Sequence, residues 1–247
     1  MPLTETTRQA IHDYLLRQVT RFVQDNRATA RQKPFHVRLL PILSEVKFSE
    51  RSFSTRSGSW FQEMARLVAS QFHRAATLGY SVTGRIQPAA EADIVAITEL
   101  MDHGVPRRIP NRANDIARVL GVQDPGGVDR SIISDLFILR HDDSELYFEM
   151  KTPDPNKGQC KKMKHDILLI SALRKGHSAE AYAAAAYNPN GDDAPYMNNY
   201  ARQFLEIGQD LLVGRQFWSK IGDDQTYDEL LEVAEAVGNE IRPILNR

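Results

Sequence analysis

The sequence predicts an α/β fold in which a central mixed β-sheet is flanked by helices, with helical additions at the N- and C-terminal ends. Three observations carry this reading. Two apolar runs, Ile132 to Arg140 and Glu145 to Lys151, are separated by Asp142, Asp143 and Ser144, which marks a hairpin. A helical stretch from about Gln159 to Lys175 then leads into the run Ala179 to Tyr187, and strand, helix, strand implies a right-handed crossover and a parallel pair. The opening segment and everything from Asn198 onward carry helical spacing instead.

Along the chain, Thr6 with Gln9 three residues on predicts a capping box. Ile11, Leu15, Val19, Phe22 and Val23 then give a first helix near 6–25. A Ser- and Arg-rich segment, Ser49 to Ser59, reads as a loop before a second helix with the stripe Phe61, Met64, Ala65, Val68 and Phe72. Glu63 lies off that stripe, on one row with Trp60 and Leu67, so it borders apolar surface or stands as an ordinary surface glutamate. Tyr80, Val82 and Ile86 alternate as in a strand. Gly104 and Gly121 close two short helical patterns near 91–103 and 112–120.

Composition excludes several classes. At 42% hydrophobic and 26% charged, the 247 residues match neither a disordered chain nor a coiled coil. Apolar runs all fall short of a membrane span, and the first nine residues lack the pattern of a secretory leader, so the expectation is a cytoplasmic protein without a membrane partner. Cys160 is the only cysteine, which excludes an intrachain disulfide and a cysteine-rich zinc site. The net charge of -1 hides a gradient. Residues 1–90 hold 13 Lys+Arg against 6 Asp+Glu, and residues 188–247 hold 5 against 11, so one basic and one acidic face are allowed.

The hairpin carries the chemistry. Alternation points Glu149 and Lys151 to one face. If Asp142, Asp143 and Ser144 form the loop, His141 pairs with Glu145, paired numbers sum to 286, Asp135 lies opposite Lys151 and Phe137 opposite Glu149. Two carboxylates and a lysine on one sheet face suit metal-dependent hydrolysis of a phosphodiester. Hard oxygen donors hold Mg²⁺, and the lysine orients the attacking water or balances charge on phosphorus. A second Glu-x-Lys triplet, Glu45-Val46-Lys47, lacks both the hairpin and the crossover. The bland alternative is a Glu/Lys ladder on a half-solvated sheet.

The element order, with Ser134-Asp135 followed by Glu149-Met150-Lys151, resembles the PD-(D/E)XK nuclease superfamily, Ser134 standing where proline is usual. Further motifs are Ser52-Phe53-Ser54-Thr55 leading into Gly58-Ser59-Trp60, Tyr187-Asn188-Pro189, Gly214-Arg215-Gln216-Phe217-Trp218, and Thr226-Tyr227-Asp228-Glu229-Leu230-Leu231. Together they resemble the TdeIII-type family of type II restriction endonucleases. The resemblance implies one endonuclease domain over 1–247, with a core at about 58–190, an insertion at about 90–130 and a helical C-terminal region at about 196–247. It implies Mg²⁺-dependent cleavage of double-stranded DNA at a short palindrome of the GGNCC kind, with Asp135 and Glu149 as metal ligands, Lys151 positioning water and Glu63 as an accessory acid. A separate methyltransferase that protects host DNA is implied as well.

For DNA contacts, Lys157, Lys161, Lys162 and Lys164 read as phosphate neutralisers or as a solvated helix start. Arg107, Arg108 and Arg112, in the proline-flanked insertion, are candidates for base readout, because arginine reads guanine bidentately. Cutting both strands of a symmetric site predicts a homodimer. Two other readings stay open: a repair or structure-specific nuclease, and a non-catalytic DNA-binding protein on the same fold.

Overall fold

The computed structural model describes residues 2–25, 50–122, 126–192 and 194–245. The expected Glu45–Lys47 triplet and Ser49 lie outside them. The described residues divide into two compact units, 1–72 with 218–247 and 73–217.

The first unit is helical. α1 (Glu5–Asp25) packs on α2 (Glu50–Phe72) and on the C-terminal α8 (Thr226–Leu245). Ile11, Leu15, Val19 and Phe22 form the buried stripe of α1, and Phe22 meets Trp60 of α2 edge to face, ring centres 5.9 Å apart. The expected capping box at Thr6 and Gln9 is replaced by Thr4, whose hydroxyl accepts the Thr7 N–H, while Gln9 donates to Asp13 one turn on. The Ser/Arg segment expected to be a loop is helical from Glu50, so α2 is about three turns longer than its apolar stripe indicated. α1 and α8 are also joined by polar contacts: Arg8 pairs with Glu229 (3.1 Å) and Glu232 (2.9 Å), and the His12 ring lies 2.9 Å from Glu240.

The second unit is a five-stranded mixed sheet in the order β1 (Ala75–Ile86), β2 (Val128–Leu139), β3 (Glu145–Lys151), β4 (Ala179–Ala185), β5 (Leu211–Val213). β1–β2 and β2–β3 are antiparallel, β3–β4 and β4–β5 parallel. α3 (Pro88–His103) and α4 (Arg112–Leu120) fill the insertion, α5 (Lys157–Leu173) makes the crossover, and α6 (Asn199–Phe204) precedes β5. Ile94, Ile97 and Met101 of α3 share one apolar cluster with Met163, Ile167 and Ile170 of α5 and with Phe137, Tyr147 and Ala183 from the sheet. Gly84 lets β1 pass close to α5, because a Cβ there would stand 2.8 Å from the Leu173 carbonyl oxygen. α7 (Arg215–Ile221) runs from this unit into the first. No described helix is long and apolar enough to cross a membrane.

The hairpin loop has the expected length but sits one residue earlier, at His141–Asp143. Arg140 N–H donates to the Ser144 carbonyl, Asp143 takes φ 62°, and the Asp142 carboxylate accepts both the N–H and the hydroxyl of Ser144. Leu139 therefore pairs with Glu145, paired numbers sum to 284 rather than 286, and Phe137 faces Tyr147 instead of Glu149. A shift of two keeps parity, so no side chain changes face.

One break in alternation was not foreseen. Val128 and Ile132 pack on the same cluster as Phe137 and Leu139, although even and odd residues of a regular strand face opposite ways. The switch falls at Ser134–Asp135, beside Gly79 of β1, whose φ is +61°. Pairing passes from Leu78↔Leu136 to Tyr80↔Ser134 around that point. Tyr80 thereby stacks on Phe137, ring centres 4.1 Å apart. Nothing lies within 4 Å of a Cβ added at Gly79, so Gly79→Ala tests backbone conformation alone. The left-handed conformation predicts a loss of about 1–2 kcal/mol in unfolding free energy for that variant, read as a lower urea midpoint.

Candidate active site

The site forms where β2 and β3 part. Their ladder ends at Leu136↔Phe148, and side chains take over the backbone groups beyond it. The Asp135 carboxylate accepts the Met150 N–H (2.8 Å), and the buried Ser134 hydroxyl reaches the Phe148 and Leu136 carbonyls at 3.1 and 3.0 Å. Asp135 is thus oriented with its Oδ2 toward β3.

Glu149 and Lys151 project from the end of β3 toward α5. Lys151 Nζ lies 2.7 Å from Glu149 Oε1 and 3.3 Å from Asp135 Oδ2. One ammonium group therefore touches both carboxylates. The Glu149 side chain keeps only 7% of its exposure, and burial, together with the charge of Asp135, raises its carboxyl above the usual range against the pull of Lys151. Burial pushes the Lys151 ammonium down, but the hydrogen bond to Glu149 and the charge of both acids outweigh it, and the net direction is up. The all-oxygen donor set of Asp135 and Glu149 fits a hard divalent cation, since a single cationic nitrogen already reaches both.

The remaining expected residues lie in several different surroundings. Lys162 Nζ stands 3.4 Å from Glu149 Oε1 and pairs closely with Asp166 one turn along α5. Lys157 and Lys161 turn away to α3, where both pair with Asp102 and Lys161 also reaches Glu99 at 2.7 Å. Lys157 first, then Lys161, hold the Asp102 carboxyl down at about 2. Glu99, Asp102 and His103 bring ligand atoms within 4.8 Å of one another, but the two lysines already neutralise that cluster. Glu63, in the helical unit, is gripped by Arg66 through two hydrogen bonds of 2.8 and 2.6 Å.

Lys164 is a correction. Its side chain has 0% exposure and lies between Asp115 Oδ2 (2.8 Å) and Asp210 Oδ2 (2.7 Å), both equally buried, so it is sealed from any phosphate. Helical spacing turned it inward, where the sequence run Lys161-Lys162-x-Lys164 suggested one basic surface. Arg108 and Arg112 serve the same two acids. Arg108 pairs with Asp115. Arg112 Nη1 reaches Asp210 Oδ1 (3.3 Å) and the Ala181 carbonyl (2.8 Å), and its guanidinium lies 4.5 Å from the Tyr182 ring centre. Arg107 alone of the three arginines is exposed and has no partner among the described residues. It rides on a loop whose neighbours Val105 and Ile109 are 97% and 82% exposed. The loop is pinned by the Arg108 N–H on the Leu100 carbonyl (3.1 Å) and by Asn111, which caps α4.

A family model described as "Type II restriction endonuclease, HinfI" matches residues 3–238, and so spans both units and the whole site. The chain belongs to the HinfI family of type II restriction endonucleases. Curated relatives include the type II restriction enzymes HgiEI, HgiCII and HgiBI of Herpetosiphon aurantiacus. HgiEI is 35% identical and the other two 34%, each over 211 residues covering 83% of this chain and 77% of the relative. The expected class, site-specific DNA endonuclease, is the one found. The sequence motifs resembled TdeIII-type enzymes, and the family whose model matches is HinfI.

Several of the resembling motifs are structural in this HinfI-family chain. Asn188 ties its own loop through the Ala194 carbonyl (2.6 Å) and the Asn190 N–H (3.1 Å). Thr226 exchanges hydrogen bonds with Asp223 at the start of α8. Asp166, which pairs with Lys162 beside Glu149, was signalled in the sequence only by its spacing of four from Lys162 on a helix. Sequence reading missed the buried Asp115–Lys164–Asp210 set, whose members are far apart in sequence. Removing one acid leaves Lys164 buried with half its compensation, so Asp210→Ala is expected to lower stability by about 3–5 kcal/mol in urea unfolding.

Proposed function

We propose that this HinfI-family enzyme hydrolyses double-stranded DNA at a short palindrome of the GGNCC kind, with Mg²⁺ held by Asp135 and Glu149. The observation that carries the reading is one ammonium group, that of Lys151, touching two carboxylates at the parted end of a hairpin. Mg²⁺ bound there supplies a Lewis acid and a coordinated water of lowered pKa. Asp135 is oriented by the Met150 N–H, which donates to its Oδ2. Lys151, in contact with both acids, orients the attacking water and carries positive charge toward phosphorus. Glu63 is kept as the proposed accessory acid, and both of its oxygens accept hydrogen bonds from Arg66.

The same proposal takes a homodimer as the acting form, because a two-fold site is cut on both strands most simply by a two-fold assembly. A separate methyltransferase protects the host site, and the enzyme acts in the cytoplasm. Lys162 and Arg107 are the basic residues left to face DNA from the expected set, Lys162 at the acids and Arg107 at the loop tip. Arg107, flanked by exposed Val105 and Ile109, has the chemistry of major-groove readout: a fork for guanine and apolar groups for a thymine methyl.

Three experiments test this reading. Unmethylated plasmid incubated with Mg²⁺ gives discrete fragments that share one end sequence, and EDTA leaves it intact. Lys151→Ala abolishes the fragments while specific binding survives, and cleavage unchanged by that substitution would remove the site assignment. Preference for flaps or nicks over an intact palindrome would select the structure-specific alternative. For Arg107→Ala, discrimination at one base pair of the site is expected to fall by about 1–3 kcal/mol, measured by binding competition between single-substituted duplexes. A uniform loss across all sequences would reassign Arg107 to the phosphate backbone.

A further inference from the structure

We infer that Lys162 is a second lysine of the cleavage site, acting on the scissile phosphate, and that Asp166 is the residue that positions it. The inference rests on the reading of Asp135, Glu149 and Lys151 as that site. Lys162 Nζ stands 3.4 Å from the same Glu149 oxygen, Oε1, that Lys151 contacts at 2.7 Å. A phosphate brought to Lys151 therefore meets Lys162 as well.

The two lysines differ in mounting. Lys151 keeps 25% of its side-chain exposure and Lys162 keeps 59%, so Lys162 is on the solvent side, from which DNA arrives. A lysine that exposed ordinarily samples many rotamers and loses that freedom at a cost when it binds. Asp166 removes much of the cost beforehand. Its side chain is 5% exposed, it sits one turn along α5, and it grips the Lys162 ammonium in a close ion pair. His165 Nδ1 lies 3.2 Å from the other Asp166 oxygen, which fixes the carboxylate from its far side. The result is a chain of contacts from His165 through Asp166 and Lys162 to Glu149.

In the hydrolysis, water oxygen bonds to phosphorus, the bond to one bridging oxygen breaks, and that oxygen leaves with a proton. Negative charge on the phosphoryl oxygens is greatest between those events. An ammonium group held in advance at the mouth of the site stabilises that charge without reorganising.

The test separates chemistry from binding. Single-turnover cleavage of DNA-saturated enzyme with Mg²⁺ is measured beside equilibrium binding of the same duplex in EDTA at several salt concentrations. Lys162→Ala is expected to slow the single-turnover rate about a hundredfold with little change in Kd or its salt slope. Lys162→Arg restores most of the rate. Asp166→Asn slows the wild-type enzyme but has no further effect in the Lys162→Ala background, because a positioning residue has nothing left to position. A salt slope lower by about one with an unchanged rate makes Lys162 a peripheral phosphate contact and overturns the inference. Additive effects of the two substitutions make Asp166 merely structural and overturn its role. Lys151→Ala runs alongside. Loss of cleavage there with full activity in Lys162→Ala sinks this inference alone, whereas full activity in both removes the underlying site assignment as well.

Discussion

The buried carboxylate of Glu149 is the constraint from which the arrangement of the sheet unit follows. A carboxylate with 7% exposure is stabilised by positive charge close by, and the fold brings that charge from two directions. Lys151 comes from the same strand two residues on, where alternation turns it to the same face. Lys162 comes from the crossover helix, which the parallel β3–β4 pair obliges to lie across that face. Asp135 completes the set only because β2 leaves its ladder at that residue, and the kink at Gly79 and Ser134–Asp135 is what lets it leave without orphaning the Met150 N–H or the Phe148 carbonyl.

Three clusters of acids and bases on one unit have different characters, and exposure separates them. At Asp115, Lys164 and Asp210 every charge is sealed, so the cluster ties α4, α5 and the approach to β5 together. At Glu99, Asp102, Lys157 and Lys161 the acids are matched by lysines at the surface, a clasp between α3 and α5 whose worth is limited by solvent. At Asp135, Glu149, Lys151 and Lys162 the charges are half-buried and open on one side. In this last cluster a 7%-exposed acid, Glu149, lies beside a 59%-exposed lysine, Lys162, so buried and solvent-facing charge meet in one place.

Much of this was legible in the sequence. The hairpin, the crossover and the two insertion helices announced themselves by turn residues and periodicity, and parity alone put Glu149 and Lys151 together. The loop shift escaped because Asp142 and Asp143 both favour turns, and the choice between them depends on which one bonds Ser144. β5 escaped because three residues cannot display alternation; it is defined by its partner β4. The Ser/Arg start of α2 was misjudged since local polarity was read as a loop, while the helix is carried by its later apolar turns. Lys164 was misassigned because a run of lysines says nothing of acids that lie 49 residues before and 46 after it, which only folding brings near.

The loop between α3 and α4 divides labour between neighbouring arginines. Arg108 is committed to a buried acid, whereas Arg107 is exposed and has no hydrogen-bond or ion-pair partner among the described residues. Holding and presenting are thus done by different residues. Side chains at 105, 107 and 109 can therefore be exchanged at little cost to the fold, because all three are exposed and the contacts that pin the loop belong to Arg108 and Asn111.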